Sequence, residues 1–285
     1  MDSDARGGRG LARCLSVASA PVNGLRNYAA GTVRVARRAG WRGLLGREER
    51  LVFVVGCPRS GTTFTGSAFG SLEGFVDLDE VTPLKAALPR LAGLPKPEAA
   101  RELRTILERV RLLGLARGLR GVEQTPETSF VLGAALAAYP QAMAVHVVRD
   151  GRDVVCSLLE RGWFRASRGD ADDAGHAYGA QPRFWVEPER RDEFARVSEA
   201  RRAAWAWRRY VEAASRAPLE LRYETLRDGA VQLAGALEVP AAGLARAFAG
   251  FHGESIGRWR DELTAEQLAD VEAEAGETLQ ALGYG

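Results

Sequence analysis

The chain has 285 residues, 46% of them hydrophobic and 27% charged, the balance of a soluble globular protein whose length allows one large domain or two small ones. Its net charge of +2 hides an asymmetry: residues 1–50 hold ten arginines against four acids, a balance of +6, which leaves −4 for the rest. A body without a basic field excludes broad nucleic-acid binding.

In chain order, residues 1–48 are rich in Gly, Ala and Arg with weak periodicity. They predict a basic arm, partly disordered and partly helical; the alternative is a segment that docks on anionic lipid or on an acidic part of the protein. The apolar patch near Cys14–Val22 is too short and too polar-interrupted for a secretory signal. The compact body is expected to span residues 49–285. LVFVV at 51–55 is a continuous apolar run, as in a strand buried on both faces. Helices are expected over Thr62–Ser71 and 97–117. Residues 130–148 carry no Asp, Glu, Lys or Arg and approach membrane-spanning length, but Tyr139-Pro140-Gln141 divides them into a helix and a buried strand, AVHVV at 144–148. Another helix follows from about Arg152 to Arg161. Residues 162–190 read as a long irregular insertion of the kind that builds lids or substrate walls, with Trp163, Phe164, Tyr178 and Trp185 as candidates for an aromatic wall. An amphipathic helix spans about Glu189–Arg216; Trp205 and Trp207 cannot share one of its faces and read as packing. LELRY, 219–223, is a third strand. A last helix runs from Thr264 to Leu282, with Thr264 as its N-cap. Strands alternating with helices predict an α/β fold with a central, mainly parallel sheet flanked by helices.

Three cysteines, Cys14, Cys57 and Cys156, are an odd number without metal-ligand spacing and point to a reducing, cytoplasmic setting. The histidines His146, His176 and His252 form no zinc motif.

GCPRSGTT at 56–63 leaves the first buried strand through turn-prone residues. The amides of Ser60, Gly61, Thr62 and Thr63, at the head of a helix, suit one anion, and Arg59 adds a permanent forked charge. GxxxxGK[ST] is absent, and Lys85 and Lys96 are the only lysines, so the cradle is expected to hold a phosphate without a metal-dependent nucleoside triphosphate reaction. Taken alone, the loop also fits a turn with an N-cap. VVRDGRDVVCS, 147–157, leaves the second buried strand and places Arg149 and Ser157 for a second phosphate. ESIGRWRDELT, 254–264, sets a Gly-Arg-Trp-Arg cluster before a helix.

Together these segments resemble the PAPS-dependent sulfotransferases, bacterial members above all, which have a P-loop-like fold; the likeness runs in order through about 50–285 and includes the ending LxALGYG. The resemblance implies transfer of a sulfuryl group from 3′-phosphoadenosine-5′-phosphosulfate to a hydroxyl or amine of a small-molecule or glycoside acceptor, without a metal. Carried over, Pro58 to Thr63 form the 5′-phosphosulfate loop, with Arg59 near the leaving phosphate. Arg149 and Ser157 match the 3′-phosphate pair. Tyr223, in LRYETL, matches the adenine contact. Gly257 and Arg260 match the C-terminal loop, where Glu254 replaces a glycine of many relatives.

The acceptor proton requires a base. Glu80, in DLDEVTP, resembles the glutamate that follows the loop in protein-tyrosine and some bacterial sulfotransferases; its alternative is a turn acid or helix cap. Asp79 and Glu123 are rivals. In EQTPET, Gln124 stands where the family's EKTP lysine touches the sulfuryl group. His146 reads as a core histidine and His252 as an outside candidate. The competing functions are a P-loop kinase and a non-catalytic nucleotide-binding module.

Overall fold

A strand whose side chains are all apolar has two faces to bury, and LVFVV buries both. In the computed structural model, which describes residues 20–164 and 191–285, β1 (Val52–Val55) is the middle of a five-stranded sheet ordered β2-β3-β1-β4-β5. All pairs are parallel: β1 lies between β3 (Arg120–Glu123) and β4 (Met143–Val148), with β2 (Phe75–Asp79) beyond β3 and β5 (Leu219–Arg222) beyond β4. Side chains alternate across a strand, so Phe53 and Val55 enter one core while Val52 and Val54 enter the other.

The first core lies under α1 (Ala20–Ala39), α3 (Thr82–Ala92), α4 (Lys96–Leu113) and α5 (Leu132–Ala138). The second holds α2 (Thr62–Gly70), which follows β1, together with α9 (Leu226–Gln232), α10 (Ala234–Leu237) and α11 (Ala241–Ala247). A third apolar cluster joins α6 (Gly151–Glu160), α7 (Arg191–Arg196), α8 (Glu199–Ala214) and α13 (Ala265–Ala281), which the short α12 (Trp259–Glu262) precedes. Thr264 caps α13 in a reciprocal capping box with Gln267.

Two expectations change. Strands β2 and β3 carry too many polar residues to be read from pattern, and burial nonetheless claims them. Arg120 of β3 is buried because its guanidinium donates to the carbonyls of Arg50 (2.7 Å) and Leu237 (2.6 Å). The single helix expected over 189–216 is two, α7 and α8, separated where the Ser198 side chain accepts from the Arg201 N–H. Trp205 and Trp207 do point in different directions, yet both are buried, because α8 is packed by α6 on one side and α13 on another. The insertion is described only up to Phe164, which packs against Phe194 at 6.0 Å between ring centroids; Tyr178 and Trp185 lie outside the described residues.

The arm joins the body from α1 onward. Val35 and Ala39 enter the first core, and Arg34 and Arg38 pair with Asp79 (3.0 Å) and Asp77 (3.3 Å) at the end of β2. This helix of the arm thus meets an acidic part of the protein. Among the described residues no helix is long and apolar enough to cross a membrane.

Candidate active site

In a parallel sheet the loops after the strands gather on one edge, and ligands bind there. Each of the five strands delivers a sequence-predicted residue to that edge. Following the strand order, these are Glu80 after β2, Gln124 after β3, the 56–61 loop after β1, Arg149 after β4 and Tyr223 after β5.

The loop is shaped by close approach. A side chain at Gly56 would meet the Val147 carbonyl oxygen at 2.4 Å, so only glycine lets β1 leave the sheet beside β4. Gly61 (φ +93°) opens α2 from the left-handed region, and a Cβ there would lie 2.7 Å from the Tyr223 ring. Arg59 also has positive φ, +75°, a strained conformation for a non-glycine residue. Within α2 the first amide bonded back is that of Thr65, to the Gly61 carbonyl (3.0 Å). The preceding amides, 62–64, form the open head of the helix dipole.

The second motif closes on the first. Arg59 Nε donates to Ser157 Oγ (2.9 Å), and Arg149 donates to the Arg59 carbonyl (3.1 Å) and the Ser255 carbonyl (2.6 Å). The Arg149 guanidinium lies 4.3 Å from the Tyr223 ring centroid, and its buried Nε has no hydrogen-bond partner. Arg149 is itself held in place: Trp207 Nε1 donates to its carbonyl (3.0 Å), and Asp153 stands 3.9 Å from its guanidinium. A cavity of about 400 Å³ results, lined among others by Arg59, Thr62, Thr63, Arg149, Ser157 and Tyr223. Two sets of potential anion donors from separate strand-to-helix junctions therefore face one space.

The model of the sulfotransferase family matches residues 52–229, more than half of the chain and both strand-to-helix motifs. The chain belongs to the sulfotransferase family. No curated protein matches it. Among solved structures, this sulfotransferase is similar to the sulfotransferase domain of the Synechococcus PCC 7002 olefin synthase, at 13% identity over 81% of this chain and 96% of that one, with a TM-score of 0.49. It is also similar to sulfotransferase STF9 from Mycobacterium avium, at 16% identity over 91% and 84% of the two chains, with a TM-score of 0.47.

The C-terminal segment of the sulfotransferase differs in detail from the expectation. Gly257 (φ +78°) gives its N–H to Asp153 Oδ2 (2.8 Å), and Arg260 lies over the Trp259 ring at 4.6 Å. Neither lines the cavity, whereas Arg258 does. Asp153 organises this region: its other oxygen accepts from the Trp259 N–H (3.1 Å), fastening the segment beside Arg149. Sequence reasoning missed Asp153; its position four residues after Arg149, one helical turn on, is the signal that could have found it. Phe251 and Ser255 had no such signal; Phe251 meets the Tyr223 ring edge-on at 4.9 Å, and Ser255 Oγ lies 3.1 Å from the Tyr223 hydroxyl. Pro58 and Ser60 do not line the cavity, and the Ser60 N–H is bonded to the Cys57 carbonyl (3.1 Å).

On the β2–β3 side, Glu80 accepts from Lys85 Nζ (2.9 Å), and the same ammonium, nearly buried, is 3.6 Å from Glu127. Glu127 is near enough to Cys57 that its charge, added to burial, pushes that thiol well above its usual range. Asp79 has φ +64° and pairs with Arg34 of α1, and its other oxygen accepts from Gln124 Nε2 (3.4 Å). Gln124 is buried, and its Oε1 has no partner. Of the rival bases, Glu123 is turned inward: its carboxylate accepts from the Thr125 N–H (2.7 Å) and the Thr128 hydroxyl (2.9 Å), and burial pushes its pKa up to about 7. His146 sits within β4, where burial lowers its pKa to about 4. His252 lines the cavity on the Phe251 side. Among the described residues no cluster could hold a metal ion.

Proposed function

We propose that this sulfotransferase moves a sulfuryl group from 3′-phosphoadenosine-5′-phosphosulfate to a hydroxyl or amine of a small-molecule acceptor. The reading rests on one observation: Arg149 and Ser157 share a cavity with Arg59 and the amides at the head of α2. A nucleotide with phosphates at both ends of its ribose needs two such sets, and the unanswered Nε of Arg149 suits a phosphate oxygen. A nucleoside triphosphate would instead call for a loop lysine and a metal site.

When bound, the donor supplies an activated sulfuryl group joined to a phosphate leaving group. The residues of the chain divide the remaining work. The amides of residues 62–64 and Arg59 hold the 5′ end and oppose the negative charge that gathers on the leaving phosphate. Arg149 and Ser157 hold the 3′-phosphate. Tyr223, backed by Phe251, offers its ring to the adenine. With the nucleotide over β1, β4 and β5, the acceptor falls to the β2–β3 side, and there Glu80 takes its proton. Gln124 offers a neutral amide where relatives place a lysine, and Lys85 keeps a cation against Glu80.

The deciding experiment is calorimetry with adenosine 3′,5′-bisphosphate and with ATP, each with and without magnesium. The proposal expects the bisphosphate to bind more tightly and magnesium to have no effect. Tighter, magnesium-dependent ATP binding would replace it with the kinase reading. Tight bisphosphate binding without turnover of any acceptor, together with an inert Glu80→Gln substitution, would favour a non-catalytic module.

A further inference from the structure

Large apolar side chains left in water are scattered on most soluble proteins, and a contiguous group marks a contact surface. Eight are exposed among the described residues, and six of them gather at one place: Trp41, Leu44 and Leu45 just after α1, and Leu112, Leu113 and Leu115 at the end of α4. Trp41 is 74% and Leu45 79% exposed. The two segments touch: the Gly118 N–H donates to the Gly43 carbonyl (3.1 Å), and a Cβ on Gly43 would sit 1.8 Å from the Leu115 carbonyl oxygen.

The unpaired charge around this group has one sign. Arg37 and Arg42 flank Trp41, and Arg109 precedes Leu112 and Leu113 by one helical turn. All three arginines are exposed and have no ion-pair partner among the described residues. The neighbouring acids are already engaged: Glu108 by Arg111 and Arg117, Glu49 by Arg47 and Arg104, and Glu48 by Arg50. The apolar group thus carries a net positive rim, the composition that settles at the interface of an anionic bilayer. A second copy of the chain suits it less well, because a twofold contact would set the same arginines against one another.

We propose that Trp41, Leu44, Leu45 and the 112–115 turn, rimmed by Arg37, Arg42 and Arg109, form a face that docks this sulfotransferase on an anionic lipid surface without spanning it. The test is co-sedimentation of the full chain with vesicles of phosphatidylcholine alone or with about a third phosphatidylglycerol. Binding to the anionic vesicles is expected, weakening as salt rises from 0.1 to 0.5 M on the order expected from charge screening. Arg37→Gln with Arg42→Gln lowers the partition coefficient roughly 25-fold, at about fivefold per arginine. Trp41→Ser with Leu45→Ser lowers it by more than about tenfold. Both variants keep the wild-type melting temperature, since the altered side chains are exposed. Absence of binding, equal binding to neutral and anionic vesicles, or binding that survives both variants would overturn the proposal. So would a concentration-dependent dimer in sedimentation velocity that Trp41→Ser with Leu45→Ser abolishes while vesicles are ignored.

Discussion

Arg149 offers the sharpest test of the two-anion cavity. The residue is 3% exposed, and its guanidinium braces the Arg59 and Ser255 carbonyls and lies against Tyr223. Arg149→Ala removes two different things. The loss of the cation from the Tyr223 ring affects any adenine nucleotide and is worth about 1 kcal/mol, roughly fivefold. The loss of a desolvated, charge-assisted contact to the 3′-phosphate affects only a ligand that has one, and costs about 2–4 kcal/mol more. Adenosine 3′,5′-bisphosphate should therefore weaken roughly 30- to 1,000-fold more than adenosine 5′-phosphate, at about 1.4 kcal/mol per factor of ten. Calorimetric titration of both nucleotides at fixed salt reads that ratio directly, and a thermal melt shows whether the variant remains folded. An equal loss for the two ligands in a folded variant would refute the clamp and, with it, the assignment of the second anion.

Arg59→Gly removes the cation and its hydrogen bond to Ser157 while placing at a left-handed backbone position the residue that suits it, so the loop should keep its path. Turnover should nevertheless fall by about 100-fold or more, and near-normal turnover would remove Arg59 from the reaction. Glu80→Gln should lower turnover while leaving the affinity for adenosine 3′,5′-bisphosphate unchanged; an unaltered rate and pH profile would place the base elsewhere. His146 is held neutral by burial, with its pKa lowered to about 4, so the unfolded chain binds the extra proton between about pH 6.5 and 4 and stability falls with pH across that window. Denaturant titrations should show the stability difference between wild type and His146→Leu shifting by about 3 kcal/mol in favour of the variant as pH drops through that window; a constant difference would mean that His146 is not buried neutral.

Legibility along the chain follows physical cause. LVFVV and AVHVV could be read because a central parallel strand must be apolar on both faces, and GCPRSGTT because a helix opening behind a glycine turn shows its amides to whatever comes near. FVDLD and RGVE could not. Their burial depends on partners far away in the chain, such as the carbonyls that satisfy Arg120 and the arm arginines that neutralise Asp77 and Asp79. The sheet ran deeper than its pattern, by two strands. The same holds for Trp207, which reads as packing until the fold brings it to the Arg149 carbonyl.

Local chemistry thus determined the ingredients: an α/β chain, a glycine turn that opens a helix with its amides free, and an arginine at a second strand end. Only the tertiary structure decided their arrangement. Strand order is set by which apolar faces pack together, not by order along the chain, and it alone lines up Glu80, Gln124, the loop, Arg149 and Tyr223 on one edge. It also decided that Arg258 rather than Arg260 reaches the cavity, because Asp153 draws in the Gly257 and Trp259 amides and turns the segment between them. Contacts between residues a hundred positions apart leave no local signature, since any single partner is stable in many other settings.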